Sequence, residues 1–254
     1  MKIAVINLSG NTGKTTLSKH LLAPLLSARR VQIENVNMSD GEPDMELSAG
    51  KFRLLAVELN AAEDDVNFVI DIGASNAMAV IAHFSSLKST RAAIDFWVVP
   101  VVPPSKQRAD SINTVATLMK IGVDPKKIVM VINNVADLDS FEHDFAAIFG
   151  VGKLGVHVAA EAVLSSDVYE LLKNDNDSVF DLADNRPDFK ALFKAPRAAG
   201  DDDGVTKIAE RMLTQDLAEE AAENLRAVFA STPIGQSAPA LPAIKPAKTP
   251  KVAA

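Results

Sequence analysis

Asn7-Leu8-Ser9-Gly10-Asn11-Thr12-Gly13-Lys14-Thr15-Thr16 (NLSGNTGKTT) follows the apolar run Lys2 to Ile6, and its reading decides the rest of the chain. Gly10 and Gly13 can take positive φ and let backbone N–H groups approach an anion with no Cβ in the way. Lys14 offers an ammonium to the β and γ phosphates of a nucleotide, and Thr15 offers a hydroxyl to Mg²⁺. The helix that starts there points its positive end at the anion. The ordinary phosphate loop, G-x-x-x-x-G-K-[ST], has a glycine where this chain has Leu8. The stretch therefore reads as a phosphate loop with its first glycine replaced.

Outward from the loop, short β-branched apolar runs alternate with helical stretches, the rhythm of βαβ units and a parallel sheet. Strands are expected at about Lys2 to Asn7, Val31 to Val36, Asn67 to Ile72, Asp95 to Val101, Lys127 to Asn133 and Leu154 to Val158. Runs such as FVIDI and VMVIN are apolar on both faces, as strands covered by helices on both sides must be. Helices are expected near 14–28, 51–62, 77–87, 108–121 and 140–149. The predicted architecture is a doubly wound, mostly parallel α/β sheet flanked by helices, a P-loop NTPase, over residues 1–175. After Asn174 the chain turns polar, and GDDDG at 200–204 marks a break. Val205 to Ala230 then spaces Val205, Ile208, Met212, Leu217, Ala221, Leu225 and Val228 about one turn apart. The span 176–230 is accordingly read as a C-terminal helical extension packed on the domain, and 231–254, rich in Pro, Ala and Lys, as a disordered tail.

Composition removes several function classes. The 254 residues include no cysteine, so disulfides, iron–sulfur clusters, thiolate zinc sites and cysteine nucleophiles are excluded. A formal net charge of −7 argues against a globally basic nucleic-acid binder, so a DNA contact has to be local. Lys106, Arg108, Lys126 and Lys127 are the candidates for it, and solvated surface charge is the plainer reading of the same residues. No apolar run approaches 18 residues, so no membrane span is expected. The first apolar run is interrupted by the loop after six residues, unlike a secretory leader, and a cytoplasmic location is expected. His20, His83, His143 and His157 lack ligand spacing.

Aligned on the lysine, SGNTGKT resembles the deviant loop K-G-G-x-G-K-[ST] of the ParA/MinD partition and positioning ATPases more than the ordinary form. The resemblance implies that Ser9, Gly10, Asn11, Thr12, Gly13, Lys14, Thr15 and Thr16 hold the phosphates of ATP. The family's signature lysine falls on Ser9 and its second glycine on Asn11. Phe68 to Gly73, FVIDIG, resembles the Walker B and switch segment, with Asp71 and Thr15 holding Mg²⁺ and Gly73 moving with the γ phosphate. The same aspartate is also a residue type that ends a strand and caps the next helix, as Ser75 and Asn76 can.

Arg30 to Asn37, RVQIENVN, aligns with the strand that in the family ends D-x-D and orients the attacking water. Asn35 and Asn37 replace both acids. Asn37 can orient water but lacks a carboxylate's basicity, and Asp40 is the nearby acid, so slow hydrolysis is expected. Asn133 resembles the family's adenine reader, although turn asparagines commonly follow strands. The expected catalytic set is thus Lys14, Asn37 and Asp71.

The resemblance also implies a nucleotide-dependent homodimer and a partner protein in plasmid stability, partition or positioning. Two other readings stay open: a nucleotide-binding adaptor without turnover, and a small-molecule ligase or kinase on the same fold.

Overall fold

The computed structural model describes residues 1–33, 49–63, 65–136, 141–173 and 175–238, with side chains from Phe52 onward in the helix Ala49–Ala61. The chain divides into two compact units, Met1–Ser165 with Arg226–Ala238, and a second whose described residues lie between Ser166 and Leu225.

In the first unit, β1 (Lys2–Ile6), β2 (Arg29–Ile33), β3 (Phe68–Ile72), β4 (Phe96–Val101), β5 (Ile128–Val135) and β6 (His157–Val158) line up in the order β2-β3-β1-β4-β5-β6. Every ladder is parallel, and β7 (Val163–Leu164) pairs with β5 beyond β6. The expected doubly wound α/β architecture is the one the chain forms. Parallel neighbours need long crossovers, and the intervening helices supply them. The chain runs from β1 out to β2, returns to β3 and then crosses β1 to reach β4. A ligand crevice in such a sheet lies outside the carboxyl ends of the strands where the direction of winding reverses. Here that point is the carboxyl end of β1.

Alternation along the strands sorts their side chains between the two faces. Ala4, Ile6, Phe68, Ile70, Ile72, Trp97, Val99, Val101, Ile128, Met130 and Ile132 belong to one core with Phe52, Leu55 and Leu59, with Val80 and Phe84, and with Val115 and Leu118. Trp97 is fully buried there as a core residue, its ring edge-on to Phe84 at 4.8 Å. The residues between them, Ile3, Val5, Val69, Asp71, Val98, Val129, Val131 and Asn133, are also buried. On that face the helical run Lys14–Thr16, Leu17–Leu22 lies against β3. Asp71 therefore points away from the aromatic core and toward the helix that follows the phosphate loop.

Three boundaries differ from the sequence reading for identifiable reasons. Residues Arg29 and Arg30 pair with Phe68 and Val69, so β2 begins two residues before its first apolar side chain. An edge strand, covered on one side only, tolerates them. The run read as one helix over 14–28 has π-type pairing across Leu17–Leu22 and ends at Leu25, with Ser27 at φ 48°. Pro24 lacks an N–H and crowds the carbonyl one turn before it, the usual setting for such a widened turn. Residues 231–238, read as the start of a tail, instead form the short helix Pro233–Ser237 with Ile234 fully buried. Thr232 caps it, accepting from the Gly235 N–H at 3.1 Å and donating to the Phe229 carbonyl at 2.7 Å.

The second unit contains the helices Val168–Leu171, Val179–Ala183, Phe189–Leu192 and Lys194–Ala199, and most of Asp202–Ala230. Ser178 and Asp181 form a reciprocal capping box at the start of Val179–Ala183. Arg186 bonds Asp216 and Glu219, both at 2.8 Å. The break expected at 200–204 is present as Gly200 in the left-handed region, φ 66°, just before the long helix.

A Cβ on Gly235 would lie 2.2 Å from the Phe229 carbonyl oxygen, whereas one on Gly150 would meet nothing within 4 Å. Gly235→Ala is expected to destabilise the protein by about 1–3 kcal/mol. Gly150→Ala, inside a helix, should be neutral or stabilising by up to about 1 kcal/mol. Urea unfolding of both variants checks the pair, and equal effects would contradict the packing described for 231–238.

Candidate functional site

At the end of β1 the chain must leave the sheet without stranding polar groups. Asn7, fully buried, does this work. Its Nδ2 donates to the Pro100 carbonyl at the end of β4 and to Ser111 Oγ, both at 2.8 Å. Its Oδ1 accepts from the Ser9 N–H at 2.8 Å and from Thr114 Oγ1 at 3.5 Å. The Leu8 N–H donates to Thr114 Oγ1 at 3.1 Å. The first half of the loop is thus fastened to β4 and to the helix Ser105–Lys120.

The second half takes a sharper course. Asn11 (φ 54°) and Gly13 (φ 81°) both occupy the left-handed region, on either side of Thr12. Alternating handedness of this kind gathers successive N–H groups into an anion-binding concavity. Gly10 and Asn11 are exposed at its lip, and a Cβ on Gly10 would meet nothing within 4 Å. Gly13 is different: a Cβ there would lie 1.8 Å from Asn133 Nδ2. Glycine is required at 13 on two counts, its backbone angle and the side chain pressed against it. Lys14 opens the helix, and its Nζ donates to the Ser9 carbonyl at 2.8 Å, spanning the mouth of the loop. Thr15 is exposed and Thr16 half-buried, and the Thr12 hydroxyl is fully enclosed with no partner.

Asn133, expected as a base reader, sits at the end of β5 and donates from Nδ2 to the Thr12 carbonyl at 3.3 Å. It supports the loop from beneath. Asn134 beside it is left-handed (φ 59°) where the β5–β7 ladder breaks register. Ser9 lies next to Asp110 on the helix Ser105–Lys120. The Lys106 ammonium at 3.0 Å and the Ser9 hydroxyl hold the Asp110 carboxyl below its ordinary value.

Asp71 lies on the face of β3 that meets the helix following the loop. It is 1% exposed, and its Oδ2 accepts from Ser18 Oγ at 2.7 Å and from Arg30 Nη2 at 2.6 Å. Arg30 Nε donates to Ser18 Oγ at 3.1 Å, closing a triangle of carboxylate, hydroxyl and guanidinium. Ser18 is one helical turn beyond Thr15, so the carboxylate meets the helix below the loop. Gly73, the proposed mobile glycine, has an ordinary φ of −57° and donates its N–H to the Ile33 carbonyl at 2.8 Å. Asn35, Asn37 and Asp40 lie outside the described residues.

Ser9 through Thr16, Lys14 and Asn133 therefore converge, while Asp71 joins Ser18 and Arg30. Sequence reading missed Asn7, Ser18, Arg30, Asp110 and Thr114. Only Asn7 carried a local signal, an amide between an apolar strand and a glycine turn.

Of the basic residues offered for DNA, Lys127 donates to the Ala92 and Ile94 carbonyls, and Arg108 bonds the Pro103 carbonyl and lies over the Phe145 ring at 5.6 Å. Both fasten this chain's own loops. His83 stacks on Phe52 at 4.7 Å, and His157 Nε2 is 3.1 Å from the Ser231 carbonyl. Among the described residues no three acidic or histidine side chains cluster as a metal site, and no helix is long and apolar enough to cross a membrane.

No family profile and no curated protein matches the chain. Three solved structures are similar in outline. A Cyanothece McdA variant in complex with ATP aligns at 15% identity and TM-score 0.47, over 83% of this chain and 95% of that one. Cyanothece McdA without ligand aligns at 18% identity and TM-score 0.48, over 87% and 98%. The pnob8 ParA aligns at 13% identity and TM-score 0.47, over 91% and 99%. No residue's role rests on these likenesses.

Asn7→Ala would leave the Ser9 N–H buried without a partner and the Pro100 carbonyl with Ser111 Oγ alone, and is expected to cost about 1–3 kcal/mol of stability. Urea unfolding measures it, and a loss below about 0.5 kcal/mol would contradict the fastening role given to Asn7.

Proposed function

We propose that this chain is a ParA-like ATP-binding switch protein that acts in plasmid stability, partition or positioning in the cytoplasm, most like the plasmid stability protein StbB. The observation that carries this reading is the loop at the end of β1. A left-handed Gly13 and Asn11 shape an anion cradle, its lip is open at Gly10 and Asn11, and Lys14 stands across its mouth.

A nucleotide entering the cradle offers phosphate oxygens to the loop N–H groups and to the start of the helix. Lys14 exchanges a neutral carbonyl, that of Ser9, for a charged oxygen, which strengthens its bond. The exposed Thr15 hydroxyl offers the nucleotide a further contact. Bound ATP favours a homodimer, and hydrolysis or release reverses it. A second plasmid-maintenance protein reads the state.

Hydrolysis is slow in this account. Ser9 brings no charge to the loop, and Asn37 is a poor proton acceptor beside a carboxylate. A second reading, an adaptor that binds ATP without turning it over, is favoured by the guanidinium already on Asp71.

Calorimetry with ATP on the purified protein and on Lys14→Ala tests the reading, with mass by light scattering and phosphate release over a range of protein concentrations. The expected result is binding that Lys14→Ala weakens at least about tenfold. Mass should double with ATP, and slow turnover should rise faster than linearly in protein. Binding with no turnover selects the adaptor. Equal affinity in both proteins, or none in either, would overturn the nucleotide reading.

A further inference from the structure

We propose that Arg30 is the resident cation of the Asp71 carboxylate, and that nucleotide therefore binds at the loop without a divalent metal being held by Asp71. The inference rests on the nucleotide reading above and sets its metal requirement.

The sheet itself arranges the pair. Arg30 of β2 is in register with Val69 of β3, and Asp71 lies two residues further along on the same face. That face is the one covered by the helix carrying Ser18. The guanidinium donates from Nη2 to Asp71 Oδ2 at 2.6 Å and from Nε to Ser18 Oγ at 3.1 Å, so two of its nitrogens are fixed at once. Ser18 donates to the same carboxylate oxygen at 2.7 Å. An arginine stays charged at every pH a protein tolerates, so it cannot step aside by losing a proton.

A divalent ion shared between Thr15 and Asp71 would require this triangle to open. Arg30 is a quarter exposed and has a route to solvent, but Asp71, 1% exposed, has none. Withdrawal of Arg30 would leave a buried carboxylate with the Ser18 hydroxyl and the incoming ion. Mg²⁺ gives up its waters reluctantly and usually keeps several of them. The arginine needs no such dehydration and is already in place. Polyphosphate charge is then balanced by Lys14, by the loop N–H groups and by whatever cation travels with the nucleotide in water. A stabilising pair without bearing on the site would also hold β2 to β3, so the test reads metal response and not stability.

The measurement is the affinity of the full chain for ATP, by calorimetry, with Mg²⁺ and with excess EDTA, for the wild type, Arg30→Gln and Arg30→Lys, with Lys14→Ala locating the signal at the loop. The wild-type affinities are expected to agree within about threefold. Arg30→Gln frees Asp71, and Mg²⁺ should then tighten binding about tenfold or more. Arg30→Lys keeps a cation and should respond like the wild type.

A wild type that Mg²⁺ tightens more than about threefold overturns the proposal, and that number decides even if Arg30→Gln does not fold. A folded Arg30→Gln with no gain in metal response overturns it as well. Loss of all ATP binding in the wild type is a different failure, that of the nucleotide reading, and it takes this inference with it.

Discussion

The contact between Gly13 and the carboxamide of Asn133 is the constraint on which the loop depends. Asn133 ends β5, and β5 is separated from β1 by β4. Its Nδ2 nonetheless reaches the Thr12 carbonyl and fills the space that any Cβ on residue 13 would need. The conformation of the loop is therefore set by the register of two ladders, β1 with β4 and β4 with β5, as well as by its own glycines. Asn7 repeats the logic from the other side, holding the first half of the loop to the end of β4 and to the helix after it. The packing beneath the loop fixes its backbone from two sides.

Charge is distributed to match. The chain carries a net −7, yet the cations nearest the loop are all engaged. Lys14 lies on a carbonyl, Arg30 on a buried carboxylate, and Lys106 on Asp110 beside Ser9. These engagements are not equivalent. An ammonium on a neutral carbonyl moves readily to a phosphate, whereas a guanidinium on a buried carboxylate would leave an uncompensated charge behind it. Lys14 is thus the cation at the loop that can change partner at little cost, whereas Arg30 and Asp71 are held to one another.

How far the sequence could be read follows from the range over which each feature is determined. The central strands were legible because burial on both faces leaves continuous apolar runs, and the loop was legible because its glycines and lysine are adjacent. The long helix after Gly200 announced itself by spacing and by the break before it. β2 was placed two residues late because an edge strand does not advertise its ends by hydrophobicity. The helix Pro233–Ser237 was missed because composition outweighed a local cap, Thr232, and one buried anchor, Ile234. The pairing of Arg30 with Asp71 crosses 41 residues and exists only through the β2–β3 register. No motif could show it. The place of Asn133 under the loop, 121 residues from Thr12, was hidden for the same reason.

The central claim is that the cradle formed by residues 10–15 receives a polyphosphate. Amide NMR of the ¹⁵N-labelled chain through an ATP titration tests it most directly. The account predicts that the largest shifts belong to the N–H groups of Gly10, Asn11, Gly13, Lys14 and Thr15, with smaller ones at Thr12 and at the Asn133 side chain. Saturating shifts confined to another part of the chain, or none at millimolar ATP, would contradict it.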